Sequence, residues 1–254
     1  MTPYRVFIGW DPREQTAFDV CRWSLARRCS RPVSVYPIME KTLRHMEPPM
    51  YWRRHEMREG KLWDTVSQAP MSTEFAITRF LTPHLAQEGW ALFIDCDMLV
   101  LGDISDLFKK ADPKYAVQVV KHLHIPTETE KMDGQIQTAY PRKNWSSVVL
   151  WNCDHPSNHK LSVEDVNSLP GRDLHRFCWL EDDEIGSLPL DWNYLVDVSP
   201  EIDRPLLAHY TLGTPDMPGY EKGPWADKWW LERACWEAQH ELKEIAPRKL
   251  EAAE

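Results

Sequence analysis

Residues 91–106 read Ala91-Leu92-Phe93-Ile94-Asp95-Cys96-Asp97-Met98-Leu99-Val100-Leu101-Gly102-Asp103-Ile104-Ser105-Asp106. The first four are a short apolar run after the breaker Gly89, which predicts a buried parallel strand. Asp95 and Asp97 flank Cys96, and apolar residues resume at Met98. Side chains alternate along a strand, so the spacing predicts that both carboxylates point the same way. Two such charges beside hydrophobic segments repel each other, and one is driven toward protonation. A hard divalent cation removes the conflict, because oxygen ligands suit magnesium and manganese. The plainer account of the same residues is a polar strand end, with Asp97 capping a turn.

Upstream, Tyr4 to Gly9 reads as a strand, Trp10 to Glu14 as a turn, Glu14 to Arg28 as a helix and Val33 to Ile38 as a second strand. Strand, helix and strand within so short a stretch predict a βαβ unit. In open α/β sheets ligands sit beyond the carboxyl ends of the strands, so the turn bearing Asp11 is a candidate nucleotide edge. There is no GxGxxG, and a dinucleotide fold is not supported. The bland role for Asp11 is a helix N-cap. Residues 40–70 are irregular and carry Tyr51-Trp52-Arg53-Arg54-His55, which we read as a solvated loop and short helix. Ser72 to Phe80 predicts a helix capped by Ser72 or Thr73, with Pro83 near its end. Arg79 on that helix is placed to reach the Asp95 region, with a surface ion pair as its ordinary explanation.

The chain has 254 residues, 43% of them hydrophobic, enough for one sizeable core. The formal charge of -9 argues against a broad surface for nucleic-acid backbone. Cys21, Cys29, Cys96, Cys153, Cys178 and Cys235 form no CxxC pair and read as reduced thiols. The N-terminus enters a strand without a leader pattern, and no apolar run reaches membrane-spanning length. These features together predict a cytoplasmic protein.

Downstream, Asp103 to Phe108 predicts a short helix, Tyr115 to Val120 and Val148 to Cys153 predict strands, and Leu174 to Leu180 a helix. Lys121 to Lys143 is polar and reads as a loop over one face. Glu181-Asp182-Asp183-Glu184 is a run of acids, usually a solvated face, here close to Leu188-Pro189-Leu190-Asp191-Trp192-Asn193-Tyr194. Leu206 to Tyr210 is a late strand holding His209. Gly213, Gly219 and Gly223 punctuate a loop with Lys222 and Trp225, and residues 229–250 predict a terminal helix.

Taken in order, these pieces resemble GT-A glycosyltransferases, especially family 8, over roughly residues 4 to 230. Ala76 to Phe80 is similar to the family's helix with a donor-binding arginine. FIDCDMLVLGDISDLF is similar to its DxD strand and following helix. LPLDWNYL is similar to its LPxxWN segment, and HYTLG with Lys222, Pro224 and Trp225 is similar to HxxGxxKPW with a longer spacer. Two pieces depart from the pattern. Asn144-Trp145-Ser146-Ser147 stands where the family often has Asn-Ala/Ser-Gly, and Asp182-Asp183-Glu184 matches the DQD-like segment only loosely.

The resemblance implies an α/β fold of GT-A (Rossmann-like) type, a mixed central sheet flanked by helices. It implies one domain over residues 1–254, with the C-terminal helix packed on it. Asp95, Asp97 and His209 would hold Mn2+ or Mg2+, the histidine favouring manganese. Asp11, Arg79, Cys96, Gly213, Lys222 and Trp225 would line the nucleotide-sugar site. Lys222 would assist the leaving diphosphate, and Asp182 or Asp183 would face the donor sugar. The expected activity is a metal-dependent retaining transfer from a nucleotide sugar, a UDP-sugar first, to a saccharide or other hydroxyl acceptor such as a glycan or lipid-linked saccharide. The alternatives are transfer to a modified nucleic-acid base, which the acidic balance disfavours, and a non-catalytic nucleotide-sugar binding protein. A metal-dependent phosphohydrolase built on the same DxD is a further rival.

Overall fold

The computed structural model describes residues 2–122, 142 and 144–251. β1 (Tyr4–Gly9), α1 (Gln15–Arg28) and β2 (Val33–Ile38) follow the sequence closely, and β1 pairs with β2 in parallel from Tyr4 opposite Val33 to Gly9 opposite Ile38. α2 (Glu40–Arg44) then leads into β3 (His55–Arg58), β4 (Lys61–Asp64) and β5 (Ala69–Met71), a separate antiparallel sheet. The solvated loop expected over residues 40–70 is thus corrected. Glu59 and Gly60, at φ 50° and 76°, form the two-residue turn that lets β3 and β4 pair. Arg53 is buried, not solvated: it donates to both carboxylate oxygens of Asp64 and to the carbonyls of Val166 and Leu169.

The helix expected from Ser72 is also different. It is split into α3 (Phe75–Thr78), a 3-10 turn at Arg79–Leu81 and α4 (Thr82–Ala86). Pro83 opens α4 rather than closing a helix, because the first helical turn needs no proline N–H. Glu74, with no side-chain cap, takes the N-cap place expected of Ser72 or Thr73.

β6 (Trp90–Ile94) is followed by β7 (Met98–Val100), α5 (Ile104–Phe108), β8 (Val117–Val119), β9 (Val148–Asn152), α6 (Val163–Ser168) and α7 (Gly171–His175). The chain continues through β10 (Ile185–Ser187), β11 (Tyr194–Leu195), β12 (Leu207–His209) and α8 (Ala226–Glu251). α7 stops at His175, short of the expected 174–180 helix, because Phe177 takes a left-handed φ of 53°. Apart from Lys121, His122 and Arg142, the loop expected from Lys121 to Lys143 lies outside the described residues.

The six-stranded sheet has the order β10-β8-β9-β6-β1-β2 and is mixed: β6 runs parallel to β1 and antiparallel to β9. Ala91 to Ile94 are wholly buried, as an all-apolar central strand requires. β7 does not continue β6. It pairs antiparallel with β12 in a small sheet ordered β11-β12-β7. Asp95-Cys96-Asp97 is therefore a bend between two sheets, which corrects the simple strand alternation assumed above. Among the described residues, no helix is long and apolar enough to cross a membrane.

Candidate metal centre

Backbone pairing brings three distant side chains together. The Asp95 N–H donates to the Ser147 carbonyl at 3.0 Å, and the Tyr210 N–H donates to the Asp97 carbonyl at 3.0 Å. His209 pairs with Met98, the residue after Asp97, so the register of β12 on β7 delivers the imidazole to the bend. One ligand atom from each of Asp95, Asp97 and His209 lies within 4.8 Å of the others. His209 Nε2 is 3.2 Å from Asp97 Oδ1 and 4.0 Å from Asp95 Oδ2. Asp97 Oδ1 is buried yet accepts no well-formed hydrogen bond, while Asp95 Oδ1 is held in an ion pair with Arg79. Two carboxylates and an imidazole converging on one point suit a divalent ion of the manganese or magnesium type.

Arg79 is buried beside this group. Its Nη1 lies 2.7 Å from Asp95 Oδ1 and donates to the Ser146 carbonyl at 3.0 Å. The guanidinium sits between the rings of Phe75 and Phe93, 5.3 and 5.1 Å from their centroids. The surface ion pair considered for Arg79 is replaced by this interior one. Burial nevertheless lifts Asp95 to about 6, helped by the charge of Asp97 and opposed by Arg79. Burial disfavours a charged His209, but Asp97 and Asp95 outweigh it and hold its pKa above the ordinary histidine value.

Cys96 turns away from the three ligands. It is fully buried, and its thiol donates to Glu14 Oε2 at 3.0 Å. Glu14, which the sequence placed at the junction of a turn and a helix with no site role, is itself lifted to about 7 by burial and then by the charge of Asp97. This raised pair has a stability consequence. Unfolded, both carboxyls ionise near their ordinary values of 3.8 and 4.5, so the folded chain holds protons that the unfolded chain has already lost. Their contribution is full below the unfolded values and is lost as the pH rises from those values to about 6 for Asp95 and about 7 for Glu14. Metal-free melting temperature should fall across that interval, and manganese should flatten the fall by favouring the carboxylates. A metal-free melting curve unmoved across it would count against the crowding of these acids.

The other anticipated residues lie around this centre or apart from it. Asp11 is fully buried and caps the turn before α1. Its oxygens accept from the Arg13 side chain at 2.9 and 2.7 Å and from the N–H groups of Arg13 and Glu74 at 2.9 Å. Burial alone would raise Asp11, but these donors hold it below the ordinary value. Asp182 is exposed and paired with Arg142 at 2.5 Å, in a 3-10 turn with Asp183 that Glu181 and Glu184 cap reciprocally. Gly213 packs against Tyr220, whose ring leaves no room for a side chain: an added Cβ would meet it at 2.6 Å. Trp225, at φ 55°, sets its ring edge-on to Tyr194 at 5.2 Å and opens α8 with its carbonyl. Lys222 is exposed. Among the described residues, no hydrogen bond or ion pair joins Lys222, Asp182 or Asp183 to the Asp95 group.

Several contributors were missed by sequence reasoning. Asn193 Oδ1 lies 2.9 Å from His209 Nδ1. The Ser146 hydroxyl meets His175 Nδ1 at 2.7 Å, and burial, then the charge of Arg79, depresses His175 to about 3, so it packs as a neutral ring. His122 is likewise lowered to about 4, by burial and then by His209. It borders a cleft of about 420 Å³ that also exposes Lys121, Asn144, Ser187 and Ser199. His122 and His175 had no motif to mark them.

Solved structures that share this architecture include glycosyltransferases. The galactosyltransferase LgtC, determined with donor and acceptor sugar analogues, matches with a TM-score of 0.58 at 11% identity, over 91% of this chain and 95% of that one. Mouse xyloside xylosyltransferase 1 matches with a TM-score of 0.51 at 12% identity, over 83% and 98%. GlyE of Streptococcus pneumoniae TIGR4 matches with a TM-score of 0.57 at 17% identity over 96% of this chain, which spans only 64% of GlyE, less than two thirds of its length. The fold is that of the GT-A glycosyltransferases. No family model matches the chain. Protein CDI of Arabidopsis thaliana is 47% identical over 233 residues, covering 89% of this chain and 81% of that protein. The chain belongs to the family of Protein CDI.

Proposed function

We propose that the chain acts as a single-domain, metal-dependent glycosyltransferase that moves a sugar from a nucleotide-diphosphate sugar, a UDP-sugar first, to a saccharide or other hydroxyl acceptor with retention of configuration. The observation that carries this reading is the convergence of Asp95, Asp97 and His209 at the end of β6. The fold likeness to a galactosyltransferase and a xylosyltransferase supports a sugar-nucleotide donor.

Asp95, Asp97 and His209 would hold manganese or magnesium, the imidazole favouring manganese. When bound, the ion supplies Lewis-acid stabilisation of charge developing on the leaving diphosphate. Arg79 keeps Asp95 ionised and in place. Lys222 would bring a second positive charge to the leaving group, and Asp182 or Asp183 an acid to the donor sugar. Asp11 would serve the nucleotide edge by fixing Arg13, while Gly213 and Trp225 would shape the loop that carries Lys222. The cleft beside His122 would admit the acceptor.

A thermal-shift panel of nucleotide sugars, with and without manganese, tests the donor assignment. One donor should raise the melting temperature with manganese far more than without it. A panel in which manganese changes nothing would refute it. A second expectation concerns Lys222. Lys222→Ala should slow transfer by about 10²-fold while leaving the melting temperature unchanged, since the side chain is exposed and the interaction is made in the transition state. An unchanged rate would assign the residue to the solvated surface.

A further inference from the structure

The hydrogen bonds behind His209 have a direction that is set from one end. The Asn144 carbonyl oxygen can only accept, so the Ser147 hydroxyl, 2.9 Å away, donates to it. That uses the only hydrogen on the hydroxyl. Toward Asn193, also 2.9 Å away, the Ser147 oxygen can therefore only accept. Asn193 must present its amide nitrogen to Ser147 and its amide oxygen to His209. That oxygen lies 2.9 Å from His209 Nδ1 and is itself an acceptor, so the hydrogen must sit on Nδ1. The neutral ring is left with its lone pair on Nε2, the nitrogen that faces Asp97 and Asp95.

Burial makes this logic binding. Ser147 is 5% exposed, Asn193 0% and His209 3%, so bulk water does not substitute for any partner. A solvated neutral imidazole favours the opposite form, with its hydrogen on Nε2, and that form has no lone pair to offer a cation there. The short turn holding Ser147 serves the site twice more: the Ser146 carbonyl accepts from Arg79 and the Ser147 carbonyl accepts from Asp95.

We propose that Ser147 and Asn193 are positioning residues that keep the hydrogen of neutral His209 on Nδ1, so that Nε2 is the nitrogen left to ligate a divalent cation. This rests on the metal-site reading above and deepens it. Second-sphere partners of metal-bound histidines act in this way, fixing tautomer and ring orientation.

The test uses nitrogen-15 NMR of the imidazole in the metal-free protein, above the pH at which His209 titrates, together with manganese affinity from electron paramagnetic resonance. The parent should show hydrogen on Nδ1. Ser147→Ala frees the Asn193 amide to turn over, and Asn193→Leu removes the acceptor. Each should bring up the Nε2–H form and weaken manganese binding by roughly 10- to 100-fold. Adding Asn193→Asp to Ser147→Ala should restore the Nδ1–H form, because both carboxylate oxygens accept whichever way the group turns. A purely structural role would lower the melting temperature without moving the tautomer. Single variants that keep the parent's tautomer and affinity would overturn the proposal. A parent with the Nε2–H form that still binds manganese would overturn the lock alone. A parent with the Nδ1–H form that binds no manganese would overturn the metal site itself.

Discussion

Asp97→Asn should leave the fold intact and lower sugar transfer by roughly 10³-fold, at the upper end of what one electrostatic contact supplies in a transition state. The substitution keeps the shape of the side chain and removes its charge. Asp97 Oδ1 is buried, accepts no well-formed hydrogen bond and lies 3.2 Å from His209 Nε2, so the attraction its charge makes is the one for that imidazole. Neutralising it also relieves repulsion on Asp95 and on Glu14, both of which its charge pushes upward. The metal-free variant should therefore melt no lower than the parent at neutral pH, while the manganese-induced rise in melting temperature disappears. Calorimetry with and without manganese reads both effects. A variant that melts much lower than the parent in the absence of metal would make Asp97 a structural residue.

Arg79→Met should destabilise the metal-free protein by about 3–5 kcal/mol at neutral pH, the usual cost of leaving one member of a buried ion pair alone. The methionine fills the space between Phe75 and Phe93 but provides no counter-charge for Asp95. Asp95 is already held near 6, and without the guanidinium its pKa moves further up. A carboxyl whose folded pKa exceeds its unfolded one costs stability above that pKa, and the cost fades as the pH falls. The loss should accordingly be largest at neutral pH and above, and shrink in acid. Manganese should restore more stability to this variant than to the parent, because the cation replaces the lost positive charge. Denaturant titrations at two pH values decide it. An equal loss at both, unaffected by manganese, would show that Arg79 acts only through packing.

The framework of the molecule was legible because strand and helix periodicity are local signals. Tyr4 to Gly9, Gln15 to Arg28 and Val33 to Ile38 emerged nearly residue for residue. The Asp95 bend was located but misread, since strand alternation explains two carboxylates on one face and says nothing of a change of sheet. The role of β7 depends on pairing with β12, more than a hundred residues later, and no local pattern carries that. The β3 to β5 sheet was missed because Arg53, Arg54, His55 and Glu56 look solvated; the burial of Arg53 depends on Asp64 and on carbonyls from α6 and beyond. His209 was found as a strand-end histidine, and Asn193 only as part of a motif. The relay from Asn144 through Ser147 to His209 was hidden because it joins three segments and its meaning lies in which atom donates.

Metal-dependent transfer from a nucleotide sugar is read directly from the products it releases. The parent protein is incubated with individual nucleotide sugars and simple saccharide acceptors, in manganese and in chelator, and the released nucleotide is identified by mass spectrometry. Nucleoside diphosphate and a glycosylated acceptor should form from at least one donor in manganese, neither of them in chelator, and neither from Asp97→Asn. Release of nucleoside monophosphate with sugar phosphate, or equal diphosphate release in chelator, would contradict it.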